Sequence, residues 1–152
     1  MNNKIVFVKS NKSDLPILSE IAKNIIFKYY ATFLDKNIVN GYIKSKQYEE
    51  EILGNIENCI IMKFEKTIIG FSIIIGNKIH LMMIDTKYQN NNYGTILLKY
   101  LEEILFQKYS IIELQSFANN TIANNFYNKN MWKKTEEINI DGIMFYKYKK
   151  NK

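Results

Sequence analysis

The sequence contains no arginine: all 21 of its basic residues are lysines, and the net charge is +6. Arginine supplies the planar fork that reads phosphates and guanines bidentately, whereas lysine acts as a point charge. Its absence argues against a sequence-specific nucleic-acid partner, while the basic surface would still attract phosphate-bearing small molecules. Cys59 is the only cysteine. That excludes an intrachain disulfide and a cysteine-based zinc cluster, and the apolar run NCIIMKF around it reads as the setting of a buried thiol. No metal is expected. Nor is there an uncharged apolar run of about 18 residues to span a bilayer, and the opening MNNKIVFVKS alternates instead of forming the apolar block of a signal segment. The expectation is a soluble, cytoplasmic protein with no membrane partner. A phosphate-binding loop of the Walker type is excluded because no G-K-[ST] occurs.

What is present suits one core. Of the 152 residues 47% are hydrophobic, and with no internal repeat, linker or low-complexity boundary a single domain over 1–152 is expected. Lysine, asparagine and isoleucine abound together, as A and T bias in coding would produce, so asparagine-rich stretches carry little weight by themselves.

Residues 4 to 9 alternate as a short strand, and Ser13 or Asp14 can cap a helix with Pro16 in its first turn, running to about Tyr30. A polar break at Asp35 to Asn40 leads into a second helical stretch that ends near Gly54. Strand-like segments at about 58 to 64, 67 to 75 and 79 to 85 are separated by EKT and GNK turns and read as an antiparallel meander. A helix over about 93 to 109, a strand IIELQSF, a helix starting near Asn119 or Asn120 and two strands joined at Asp141-Gly142 complete the chain. The order is β-α-α-β-β-β-α-β-α-β-β. The last strand, GIMFYKYKK, offers an apolar edge on which a homodimer could form.

Two segments carry chemistry. In residues 79 to 105 a strand feeds a short polar loop and then a long amphipathic helix, whose first N–H groups and dipole favour an anion. Gly94 lets a phosphate approach the backbone and Thr95 adds a hydroxyl donor. Here Gln89-Asn90-Asn91-Asn92-Tyr93-Gly94 resembles the Q/R-x-x-G-x-G/A motif of the GNAT superfamily of acetyltransferases. Asn92 stands at the first glycine, and asparagine is the non-glycine residue that best tolerates a positive φ. In the second segment, Asn120-Thr121-Ile122-Ala123-Asn124-Asn125-Phe126-Tyr127, followed by Lys129 and Trp132, is similar to the family's N-x-x-A-x-x-F-Y and the turn after it. Met131 occupies the usual glycine of that turn, with Asn130 as the residue expected to take the left-handed cap.

The resemblance covers nearly the whole chain, residues 28 to 56 matching only in helical character. It implies a mixed α/β (α+β) fold, a mostly antiparallel central sheet flanked by helices, and N-acetyl transfer from acetyl-CoA as cosubstrate to a primary amine of a small molecule or a protein. By resemblance, the loop from Gln89, Asn90, Asn91, Asn92 and Tyr93 to Gly94 and Thr95 holds the pyrophosphate, with Asn120 also on the cofactor. The strand ending at Ile84 splays from the strand at 111 to 117, so that backbone near Met83 and Ile84 binds the pantetheine arm and polarises the thioester. Tyr127 becomes the general acid, its rival reading being a tyrosine packed on a helix face.

For the general base the sequence is less direct. Lys78 stands where many family members carry a glutamate. His80, the only histidine, shares strand parity with Met82 and Ile84 and has a suitable pKa, but a half-buried structural histidine reads equally from the residues. Asp85 is a weaker candidate, as is the run Glu49-Glu50-Glu51, which suits a solvated helix face. Tyr30 and Asp35 are the candidate acceptor-binding residues, an aromatic and an acid for a cationic amine. The alternatives are a catalytically weak CoA-binding or interaction module with the same fold and, from charge and aromatic content, a small RNA-binding protein.

Overall fold

The alternating N-terminal segment forms strand β1 (Ile5–Lys9) in the computed structural model, which describes residues 4–152. The first three residues of the stretch read against a signal segment lie outside that range. Asp14 stands at the N-cap of the helix that follows, as one of the two expected residues, but makes no side-chain cap bond to it; the side-chain cap comes earlier, from Asn11. Asn11 Oδ1 accepts from the Ser13 N–H at 2.9 Å while the Asp14 carboxylate accepts from the Asn11 N–H at 3.0 Å, a capping box around a 3₁₀ turn that leads into α1 (Leu15–Tyr29). Pro16 sits in the first turn of α1 as expected.

The second helical stretch is two helices, α2 (Lys36–Ser45) and α3 (Gln47–Gly54), parted at Lys46, whose φ of 56° is left-handed. A lysine gives no warning of that conformation, so pattern alone reads through it. The remaining elements follow the expected order: β2 (Cys59–Phe64), β3 (Thr67–Ile75), β4 (Lys78–Ile84), α4 (Tyr93–Phe106), β5 (Ile111–Phe117), α5 (Thr121–Lys129), β6 (Lys133–Ile140) and β7 (Ile143–Asn151). Asp141 and Gly142 both take positive φ between β6 and β7, as a two-residue hairpin turn demands.

Among the described residues seven strands form one sheet in the order β1-β2-β3-β4-β5-β7-β6, antiparallel throughout except between β4 and β5. β7 is bonded on both sides, so the free edge read in GIMFYKYKK does not exist. The edge beyond it is β6, KKTEEINI, whose charges discourage strand pairing.

Helices cover both faces. On one, Leu18 and Ile26 of α1, Val39 of α2 and Ile52 of α3 bury with Phe71 and Ile73. On the other, Leu97, Leu98 and Leu101 of α4 bury with Ile112, Leu114 and Tyr148. Each such side chain contributes about 1.5–3 kcal/mol by leaving water. Within the second core the Glu102 carboxylate accepts from Trp132 Nε1 at 2.9 Å and from Lys150 Nζ at 2.9 Å, tying α4 to β7 and to the turn after α5. Among the described residues no helix is long and apolar enough to cross a membrane.

Candidate functional site

The site begins where the sheet fails to continue. β4 and β5 pair only at Lys78 with Glu113 and Ile79 with Leu114. On the β3 side, Ile73 lies opposite Leu81 and the next residue, Ile74, opposite Ile79, which leaves His80 as the extra residue of a bulge. A bulge bends its strand and raises the local twist, and here it coincides with the point where β4 leaves β5. It also reverses side-chain parity. Ile79, Met82 and Ile84 pack with α4, whereas Leu81 and Met83 pack with α1 and α3. Plain alternation put His80 with Met82 and Ile84; the bulge instead turns it to α3.

The Asp85 N–H donates to Ile69 O of the β3 side at 2.8 Å. Ladder bonds alternate along an antiparallel strand, so the amides of Met83 and Asp85 face β3 while those of Met82 and Ile84 face the gap left by β5. The Ile84 carbonyl accepts there from Gln89 Nε2 at 3.1 Å, and Gln89 Oε1 accepts from the Tyr29 hydroxyl. The side chain of Gln89 thus pins the loop to β4 and α1, leaving its backbone to face a ligand.

After Gln89 the loop takes left-handed conformations at Asn90 (φ 64°) and Asn92 (φ 67°), so asparagine does accept the glycine's conformation. Asn91 turns its amide onto the loop's own Tyr88 and Gln89 carbonyls, at 3.4 and 3.0 Å, and does not line the cleft. The first bond of α4 runs from the Ile96 N–H to Asn92 O. The N–H groups of Tyr93, Gly94 and Thr95 precede it and have no carbonyl one turn back. A Cβ on Gly94 would meet only Phe126, at 3.6 Å, so the backbone there is bare for reasons other than packing. The Tyr93 ring packs at an edge to Phe64 and Tyr88.

This loop, β4 and α5 enclose a cleft of about 1170 Å³ lined also by Met83, Ile84, Asn120 and Tyr127. Asn120 caps α5, its side chain accepting from the Ala123 N–H at 3.2 Å. One turn on, buried Asn124 donates to the Phe117 and Ala118 carbonyls at 3.1 and 3.0 Å and accepts from the Tyr148 hydroxyl at 3.0 Å. That lock fixes the helix face carrying Tyr127, three residues later. The Tyr127 ring packs against Phe126, Trp132 and Tyr148, and its hydroxyl has no hydrogen-bond partner among the described residues. Burial pushes its pKa up to about 12, with Tyr148 adding to the effect. At the turn that follows, Met131 and not Asn130 adopts the left-handed conformation (φ 70°).

On the far side of the cleft His80 Nε2 lies 3.2 Å from Glu51 Oε1 of α3. The bond to Glu51 is the main cause holding His80 above its ordinary pKa, burial acting against it. Glu51 therefore leaves the solvated run and lines the cleft with Tyr30 and Tyr42. Burial raises the pKa of both tyrosines, Tyr42 and Glu51 adding to the shift at Tyr30. Asp35 is outside the cleft, where its carboxylate caps α2 by accepting from the Asn37 N–H at 2.8 Å.

A family model described as Acetyltransferase (GNAT) family matches residues 26–131. The chain belongs to the GNAT acetyltransferase family. A spermidine N(1)-acetyltransferase of Thermoplasma acidophilum is 29% identical over 92% of this chain and 95% of its own. Among solved structures, a GCN5-related N-acetyltransferase from Rhodopseudomonas palustris superposes with a TM-score of 0.83 at 15% identity, covering 99% of this chain and 98% of that one. The PaiA N-acetyltransferase of T. acidophilum, solved in complex with coenzyme A, gives 0.80 at 24% identity over 97% and 99%.

As a GNAT enzyme the chain takes its acetyl group from acetyl-CoA, and its residues fit that cosubstrate: β4 and β5 stop pairing after Ile79 and Leu114, and unpaired helix N–H groups line the same cleft. Among the described residues no cluster of three His, Cys, Asp or Glu side chains is placed to hold a metal ion. Glu51 is the site residue that motif reading ranked too low, as one of the weaker Glu49-Glu50-Glu51 run. A signal existed, since Tyr48, Glu51, Ile52 and Asn55 share the i, i+3, i+4, i+7 stripe by which α3 faces the core. Asn124 gave no such signal.

Proposed function

We propose that this cleft transfers an acetyl group from acetyl-CoA to a primary amine of a small molecule or protein, by direct attack in a ternary complex. One observation carries the reading: the parting of β4 and β5 brings the Ile84 amide, the bare N-terminus of α4 and the unpartnered Tyr127 hydroxyl to one cleft. Acetyl-CoA supplies a thioester acyl group and a pyrophosphate by which to hold it. The N–H groups of Tyr93, Gly94 and Thr95 bind the pyrophosphate, within a loop shaped by Gln89, Asn90 and Asn92. Asn120, whose oxygen is used in capping, keeps its amide donors for the pantetheine arm.

The Ile84 N–H donates to the carbonyl oxygen as negative charge develops on it; removal of one such donor elsewhere costs roughly 3 kcal/mol. His80, supported by Glu51, takes the proton of the acceptor ammonium, and Tyr30 lines the acceptor's path. The amine nitrogen bonds to the acyl carbon, the carbon–sulfur bond breaks, and Tyr127 gives its proton to the departing sulfur. Burial disfavours phenolate and thiolate alike, so a phenol raised to about 12 faces a thiolate raised by the same surroundings.

The named substrate of the T. acidophilum relative places polyamines among the amines to be tried. Tyr127→Phe should lower kcat about tenfold or more and leave the thermal stabilisation by CoA unchanged. If kcat is unchanged, Tyr127 has no part in the proton transfer.

A further inference from the structure

We infer that the acceptor is a primary monoamine carried on an apolar or aromatic body, not a polyamine, and that Glu51 receives its ammonium. The inference rests on the acetyl-transfer reading and concerns the half of the cleft away from α4. That half is lined by Leu34, Val39, Tyr42, Phe117, Ile143 and Phe145. Phe117 stacks obliquely on Phe145 at 4.7 Å between ring centres and meets the Tyr30 ring edge-on at 5.4 Å. Such a wall favours methylene groups or an aromatic ring over charge.

Charge in the lining is scarce. Across the whole cleft the charged or titratable side chains other than tyrosine are Glu51, Lys78 and His80. Among the described residues that line it, Glu51 is the only carboxylate. Lys78, on the same strand as His80, forms no ion pair among the described residues, so its positive charge cancels that of Glu51 before His80 is counted. The shift at His80 favours the protonated form and makes the balance more positive.

One ammonium can be matched by Glu51. A polyamine brings further ammoniums only a few methylenes from the reacting nitrogen, and these would lie against Lys78 or the apolar wall without a partner, which is costly. The net charge of +6 also repels a polycation at long range, although it attracts CoA phosphates. A single amine with an apolar body meets one carboxylate, an adjacent imidazole and a surface that its own body covers. Charge and shape thus select against the polycation as well as for the monoamine.

The test measures thiol release from acetyl-CoA by the full-length protein with hexylamine, phenethylamine and spermidine as acceptors at one pH and ionic strength. The monoamines should exceed spermidine in kcat/KM by about tenfold or more. Equal or better turnover of spermidine overturns the inference and leaves acetyl transfer standing. No release with any of the three amines overturns the inference, and if CoA and acetyl-CoA also fail to stabilise the fold the acetyl-transfer reading falls with it. Two variants make the electrostatic cause visible. Lys78→Glu should raise kcat/KM for spermidine relative to hexylamine by severalfold, and Glu51→Gln should raise KM for the monoamines with CoA binding unaltered. If neither ratio moves, the cleft charges do not select the acceptor and the inference fails.

Discussion

Met131 holds a left-handed backbone conformation (φ 70°) with its side chain 75% exposed, so there is little packing to offset the strain. The conformation is fixed by the end of α5, where the Met131 N–H donates to Asn128 O and the Trp132 N–H to Tyr127 O, at 3.1 and 3.0 Å. Left-handed geometry costs an L-residue roughly 1–2 kcal/mol, from which glycine's greater freedom when unfolded subtracts roughly 0.5–1 kcal/mol. Met131→Gly should therefore stabilise the protein by about 0.5–1 kcal/mol in urea unfolding; a loss of stability would mean that the side chain makes a contact worth more than the strain. At His80 the question is one of sign. Its pKa is raised in the folded protein, chiefly by Glu51, with burial and Lys78 opposing. The pair's contribution to stability is accordingly full below the unfolded value of about 6.5 and is lost as pH rises through the higher folded value. Base catalysis runs the other way, since the neutral imidazole accepts the proton and kcat/KM should climb through that same folded value. Glu51→Gln removes the charge that holds the proton, so the ascending limb should move to lower pH. A limb that stays in place would separate His80 from the chemistry.

At the scale of elements, order was legible because strands read either as alternation, as in β5, or as short apolar runs between turns, as in β3, and the long helices keep helical spacing. The motif residues at Asn92 and Tyr127 could be placed for the same reason, Asn92 at the N-cap of α4 and Tyr127 in the last turn of α5, both helices being preceded by polar residues. What could not be read were the positions where backbone geometry departs without a marker: the break at Lys46, the bulge at His80 and the left-handed Met131. Each is taken by a residue with no local preference for it, Lys46 and Met131 where helices end and His80 where β4 pairs with β3. The bulge had the largest effect, because parity arguments fail once an extra residue is inserted. Gly70 belongs with these. A Cβ there would lie 2.7 Å from Met83 O and 2.8 Å from Ile84 Cδ1, both at the end of β4 that borders the cleft. Gly70→Ala should cost about 1–3 kcal/mol through overpacking and, by displacing Ile84, weaken CoA binding in the same protein. Retention of full CoA affinity by a destabilised variant would show that β3 gives way and the cleft edge does not.

The whole molecule is a sheet in two parts, β1 to β4 and β5-β7-β6, joined by two residue pairs of the parallel β4–β5 contact. Each part has its own antiparallel ladder, bulged in places, and the site lies along the seam between them. Amides that face the seam lack a ladder partner, so Met82 and Ile84 should exchange hydrogen with solvent faster than Phe71 and Ile73, which sit inside the sheet. A ligand lying in the seam supplies the missing partners from the position of a strand. Saturation with CoA at about 100 times Kd should stabilise the fold by roughly 2.7 kcal/mol, and the gain should be local as well as global. Exchange at Ile84 should slow by more than the change in overall stability predicts, while exchange at Phe71 and Ile73 should slow only in step with it. Stabilisation spread evenly over all four amides would place the ligand away from the seam, and with it would go the assignment of the Ile84 N–H as donor to the thioester oxygen.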